Sequence, residues 1–164
     1  MTKKKDKKGG MLSTNAVVAV NKQARYNYHL EDVFEAGIML VGTEVKSLRL
    51  GQASIAEAHV APTQGAIYIH NLHIPEYQQA GPKMQHDPKR IKKLLLHKRE
   101  IDKLMGSVTR GGYTIIPTKI YFDKKGLAKV EIALARGKKL HDKRETEKQR
   151  DWDKQKSRVM KDHN

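Results

Sequence analysis

The chain has 164 residues, enough for one domain with extensions, and its 33 Lys and Arg against 18 Asp and Glu give a net charge of +15. It contains no cysteine, which excludes a disulfide scaffold and thiolate-bound zinc and fits a reducing cytoplasm. A cationic surplus of this size points to a polyanion, nucleic acid before membrane: no stretch reaches the roughly 20 apolar residues a span needs, and no basic helix has a broad apolar face.

Residues 1–15 read as a flexible basic arm. Met1–Gly10 is MTKKKDKKGG, and the MLSTNAVVAV that follows is too polar in its middle for a signal peptide. Residues 16–136 hold the only apolar periodicity dense enough for a core. Near its start, Asn21-Lys22-Gln23-Ala24-Arg25-Tyr26-Asn27-Tyr28 interleaves basic, amide and aromatic groups. Such a mixture binds phosphates while stacking or hydrogen-bonding on exposed bases. Tyr28 suits core packing equally well.

Tyr26–Leu40 alternates as a long strand whose phase changes near Asp32-Val33 and at Gly37, which predicts a bulge or bend. Glu31 and Asp32 are adjacent, so a strand sends them to opposite faces and they make a poor acid–base pair. Glu35 stands just before the bend. On a basic face it would repel phosphate, so it reads as an acceptor for a base edge, an orienter of a nearby Lys or Arg, or a plain exposed strand residue. Thr43–Arg49 reads as a short helix, with Thr43 as its cap and Gly51 as its end. Residues 54–61 and 66–74 read as a hairpin around Pro62-Thr63-Gln64-Gly65 that separates His70 and His73 onto opposite faces, which argues against a metal site. Residues 75–86 read as an exposed loop.

A second helix is expected from Asp87 and Pro88 through Ile91, Leu94, Leu95, Leu96, Ile101, Leu104 and Met105, with a kink near His97-Lys98 and an end at Gly106 or Gly111-Gly112. Lys89, Arg90, Lys92, Lys93, Lys98 and Arg99 surround it as a solvated or phosphate-binding face. Tyr113–Phe122 and Leu127–Arg136 form a hairpin turned by Asp123–Gly126, with Val130, Ile132 and Leu134 on one face and Lys129, Glu131 and Ala133 on the other. Residues 137–164 are a basic tail of ten Lys and Arg against six acids, whose only sizeable apolar side chains are Leu140, Trp152, Val159 and Met160. It buries too little to offset its ordering entropy and is expected to be disordered when free. Glu145–Met160 lacks Gly and Pro and is rich in helix formers, so order gained on a polyanion would be helical.

These elements predict a mainly β fold with α: an antiparallel barrel of about six strands with inserted helices. An OB-type barrel is the natural candidate, and periodicity alone leaves other small barrels open. No phosphate loop and no paired catalytic carboxylates stand out, so an enzyme is not expected and no cofactor is implied.

Four ordered motifs resemble the SmpB family of bacterial trans-translation. Glu35–Arg49 (EAGIMLVGTEVKSLR) resembles its signature, and Asn21–Arg25 with Tyr28 its N-terminal motif. His86-Asp87-Pro88 through Lys93–Ile101 resembles its central motif, and Gly137-Lys138-Lys139 with Asp142-Lys143-Arg144 its tail-entry motif. The resemblance implies an OB-type antiparallel β-barrel with about three helices that binds the tRNA-like domain of transfer-messenger RNA and delivers it to stalled ribosomes. It implies an elongation factor Tu partner through the shared RNA, no membrane partner, a monomer when free and a cytoplasmic location. It assigns Asn21, Lys22, Arg25, Tyr28, Glu35, Lys46, Arg90, Lys93 and Leu95 to the RNA face. Lys138, Lys139, His141, Asp142, Lys143 and Arg144 go to the decoding region, and Trp152, Val159 and Met160 to the mRNA channel. Leu50, Gln52 and Ser54 replace frequent Ala, Lys and Asn; Lys92 replaces a frequent Arg; His141 stands where Tyr is also common. The competing expectation is an OB-type protein that binds ribosomal RNA directly or assists ribosome assembly.

Overall fold

The computed structural model describes residues 11–138 and 140–162. The expected basic arm Met1–Gly10 and the tail residue Lys139 lie outside the described residues, as do the side chains of His141 and Asp142. Seven strands and four α-helices follow one another as β1 (Ala16–Val20), α1 (Ala24–Asn27), β2 (Tyr28–Ile38), α2 (Gly42–Arg49), β3 (His59–Thr63), β4 (Ala66–His70), β5 (Lys92–Leu95), α3 (Lys98–Arg110), β6 (Thr114–Phe122), β7 (Ala128–Gly137) and α4 (Leu140–Asp162). Every strand pairing is antiparallel. The order β6-β3-β4-β5-β2-β7, with β7 returning to β6, closes six strands into a ring, and β1 lies outside against β6. Closure leaves few free edges, which suits a sheet this small.

Alternation fills the ring. Ile67 and Ile69 of β4, Leu94 of β5, Ile115, Ile120 and Phe122 of β6, and Val130, Ile132 and Leu134 of β7 are buried in one cluster. Leu48 of α2 and Leu104 of α3 cap it. Ala133, assigned by period to the outer face, is also fully buried. The predicted bulge in β2 lies between Leu30 and Val33, where the register with β7 shifts. The strand begins at Tyr28 rather than Tyr26 because Ala24–Asn27 forms a helical turn.

Several expectations change. Residues 87–96 are not helix: Lys92–Leu95 is a strand, and the helix begins at Lys98 where the kink was expected. The run Leu94-Leu95-Leu96 satisfies both periods, and burial separates them, since Leu94 points inward while Lys93 and Leu95 face out. The helix start is marked by Glu100, whose carboxylate accepts the His97 N–H at 3.1 Å. The loop 75–86 contains two 3-10 turns and buries Tyr77 and His86. At α2, the cap is Val41, whose N–H is taken by Glu44 at 2.8 Å. The Thr43 hydroxyl meets His86 Nδ1 instead, at 2.8 Å.

Candidate nucleic-acid interface

The outer face of β2, β7 and β6 gathers charges that the sequence keeps far apart. Register sets Glu35 opposite Glu131 and Glu131 opposite Lys119; two residues along, Gly37 lies opposite Lys129 and Lys129 opposite Tyr121. The Tyr121 hydroxyl donates to one Glu35 oxygen, and Lys129 Nζ lies 3.9 Å from the other. Lys119 stands 5.1 Å over the Tyr121 ring and 3.9 Å from Glu131. Burial and the hydrogen bond to Glu35 push the Tyr121 hydroxyl far above its ordinary pKa, so it remains a donor. Of the readings the sequence allowed for Glu35, the orienter of a basic neighbour is the one its contacts match.

Gly37 makes this patch accessible. A Cβ there would stand 3.2 Å from the Leu95 Cβ. Its absence lets β5 approach β2 and leaves a groove lined by Glu35, Leu95 and Lys129. Leu95 is half exposed beside it. Lys93, also outward on β5, shares that side.

At the other end Asn21 ties α1 to β6. Its side-chain amide donates to the Pro117 carbonyl at 3.1 Å and its backbone N–H to Thr118 at 2.7 Å. Lys22, Arg25 and Lys119 line a cavity next to Asn21; Lys119 lines a second cavity with Glu35, Tyr121 and Lys129, and Glu35 and Lys129 in turn line the groove beside Leu95. The two ends therefore form one surface. Tyr28 is half buried against Ala24, Ile116 and Ala135, which is its packing role. Lys119 and Tyr121 were missed as site residues. Their i, i+2 spacing on an outward strand face, opposite Lys129 and Glu131, was the available signal.

The basic cluster around residue 90 is different from expectation. Lys92 is fully buried rather than solvated. Its ammonium lies 3.3 Å from buried Glu44 and donates to the Arg90 carbonyl at 2.7 Å. Arg90 also turns inward, with 2.7 Å to Glu44 and 3.1 Å to the Met39 carbonyl. Burial lowers the Lys92 pKa, and Glu44 only partly offsets that. Burial alone would raise Glu44, but Arg90, the Val41 N–H and Lys92 outweigh it and hold Glu44 below its ordinary value. Lys46 remains exposed, 5.6 Å over the Tyr77 ring.

The tail is the 23-residue helix α4, anchored at its start. The Lys138 N–H donates to Asn27 and its ammonium to Thr146, both at 2.9 Å. Tyr26 donates to Glu147 at 2.5 Å, while Lys143 and Arg150 approach its ring at 6.0 and 5.5 Å. Lys143, Glu147 and Arg150 share one face by helical spacing. Arg144, Trp152, Val159 and Met160 are exposed. Among the described residues no helix is long and apolar enough to cross a membrane, and no three His, Cys, Asp or Glu gather as a metal site.

Comparison with known proteins identifies the family. The family model described as SmpB protein matches residues 18–162. The SsrA-binding protein of Allorhizobium ampelinum is 55% identical over 154 residues, covering 94% of this chain and 97% of its own length. That of Afipia carboxidovorans is 56% identical over 144 residues, covering 88% and 91%. A chain from a solved structure described as tmRNA-SmpB in the bacterial ribosome superimposes with a TM-score of 0.62 at 45% identity, covering 74% of this chain and 85% of that one. With a ring of six antiparallel strands, a family model matched over residues 18–162 and relatives matched over almost their whole length, the chain belongs to the SmpB protein family.

Proposed function

We propose that this protein is a non-catalytic RNA-binding adaptor of trans-translation. Its body binds the tRNA-like domain of transfer-messenger RNA and brings that RNA to ribosomes stalled without a stop codon. The observation that carries the reading is the continuous outer surface from Asn21 through Lys119 to Glu35 and Leu95, which joins cations, a half-buried tyrosine and a fixed carboxylate. Cations supply affinity for any phosphate backbone, and shape with a few unstacked bases supplies choice. Glu35 contributes by holding Lys129 and Tyr121 in place, so an acid on a basic face strengthens the site.

Asn21, Lys22, Arg25, Glu35, Lys46, Lys93 and Leu95 serve this face. Arg90 serves it indirectly, by holding Glu44, and Tyr28 by packing α1. Residues 137–164 form the ribosome-directed part: Lys138, Lys139, His141, Asp142, Lys143 and Arg144 at the decoding region, then Trp152, Val159 and Met160 in the mRNA channel that stalling leaves empty. Elongation factor Tu joins through the shared RNA. The protein acts as a monomer in the cytoplasm and needs no cofactor. Binding measured at about 0.15 M salt tests this: transfer-messenger RNA is expected to bind more tightly than ordinary tRNA or ribosomal RNA fragments. Equal or tighter binding of ribosomal RNA would move the protein to the ribosome-assembly class.

A further inference from the structure

Two cavities flank Asn21, and they differ in chemistry. One is cationic on balance, lined by Lys22, Arg25 and Lys119 with one carboxylate, Glu131, which pairs with Lys119 at 3.9 Å and accepts from Thr118. The other, of about 260 Å³, has no Lys or Arg in its wall although the chain carries 33 of them. Its polar residues are Asn21, Gln23, Asn27, Tyr28, Glu57 and His59, beside the buried Ala24 and Ile116. Amides can donate to phosphate, but with a carboxylate beside them and no cation the cavity is a poor phosphate seat. These groups are suited to the donor and acceptor pattern of a base edge.

The walls are held in place. Asn21 is fixed by its bonds to Pro117 and Thr118. The Asn27 N–H donates to Gln23 at 3.0 Å, and its carbonyl takes the Lys138 N–H at 2.9 Å. Tyr28 is packed against the buried Ala24, Ile116 and Ala135. His59 pairs across the hairpin with His70, and the two rings stack at 4.9 Å with planes 4° apart. His59 is thus already one layer of a stack. A stacked, partly exposed ring is the platform on which proteins lay an unpaired base. The volume is below the roughly 300–1,000 Å³ of cavities that take drug-sized ligands, which suits one planar base and no more.

We propose that this cavity is a seat for a single unstacked nucleobase, laid on His59 and read by the amides of Asn21, Gln23 and Asn27, while the neighbouring Lys22–Arg25–Lys119 cavity takes an adjoining phosphate. Asn21 is the ridge between the two seats. The inference rests on the RNA-binding reading and specifies part of it: the site selects an unpaired nucleotide, because a base held in a helix cannot enter. His59 is outside the motifs that carry the family resemblance, and its partner His70 serves to hold its ring.

The test compares full-length wild-type protein with His59→Ala, His59→Tyr and Lys22→Ala, using the tRNA-like domain of transfer-messenger RNA and copies carrying one abasic unpaired position each. Stacking of one base is worth about 1–3 kcal/mol, so His59→Ala is expected to weaken binding at least fivefold. The slope of affinity against salt stays as in wild type, because no phosphate contact is lost. His59→Tyr keeps most of the affinity. Lys22→Ala weakens binding and reduces the salt slope. One abasic position reproduces the His59→Ala loss and adds nothing to it in the variant. Unchanged affinity in His59→Ala, a loss accompanied by a shallower salt slope, or losses that add for every abasic position would each overturn the base seat. If wild-type protein shows no preference for this RNA, the functional reading itself fails, which is a separate outcome. A thermal unfolding scan of each variant separates loss of the seat from loss of the fold.

Discussion

At the scale of single residues, Glu44, Arg90 and Lys92 separate what holds the fold from what meets RNA. All three belong to stretches that resemble the family's motifs, yet Glu44 and Lys92 have no solvent-exposed surface. A buried pair is a weak source of net stability, but removing one member strands the other. Glu44→Gln is expected to cost about 3–5 kcal/mol in urea unfolding, and Glu44→Gln with Lys92→Met to recover most of it. The pH dependence has a definite sign. The folded pKa of Glu44 is lowered from about 4.5, so its stabilisation is full above that value and is lost as pH falls through the lower folded one. Lys92 has the opposite character: its folded pKa is also lowered, so its burial in charged form opposes folding at neutral pH, and stability rises as pH climbs toward 10.5. Unfolding from neutral pH down through the carboxylate range should show a loss in wild type that is reduced in Glu44→Gln. An acid limb that is unchanged in the variant would contradict the assignment. The sequence could list Lys92 as one more cation. It could not show burial, because Lys92 and Lys93 stand side by side in Lys-Lys-Leu-Leu and nothing in that run marks which of the two turns inward.

Among elements, β5 and α4 show where local pattern is decisive and where it is not. The hairpin of β6 and β7, the bulge in β2 and the short helix α2 were legible because period, turn residues and glycine agreed. The β5–α3 boundary was not, because Leu94-Leu95-Leu96 fits either period and Asp87-Pro88 imitates a helix start. α4 presents the converse case. Its composition argued against independent order, and its helix formers argued for helix once a partner is present. In the structure the body supplies a partner at one end: Tyr26 engages Lys143, Glu147 and Arg150. Tyr26 was read with the RNA-binding run before it, and nothing in sequence spacing links it to residues more than a hundred positions away. Tyr26→Ala should therefore reduce amide-exchange protection several-fold in the first turns of α4 and leave the ring unchanged. Equal protection in both proteins would mean that the helix stands without this contact.

Taken as a whole molecule, the net charge of +15 supplies affinity without choice, and the arrangement supplies choice. The ring carries the surface from Asn21 to Leu95, while α4 leaves from the same end through Gly137 and Lys138 and carries Trp152, Val159 and Met160 on exposed positions. Composition gave the class of partner and the motifs gave the family. The side-chain partners of Glu35, and the cation-free cavity beside Asn21, needed the register of strands that are distant in sequence. The central claim is that the body holds the RNA and the tail acts on the ribosome. The direct measurement is a chain ended after Arg136, assayed for transfer-messenger RNA binding at about 0.15 M salt and for peptide tagging on stalled ribosomes. RNA binding within a few-fold of wild type together with loss of tagging is the predicted result. RNA binding that collapses with the tail, or tagging that survives without it, would contradict the account.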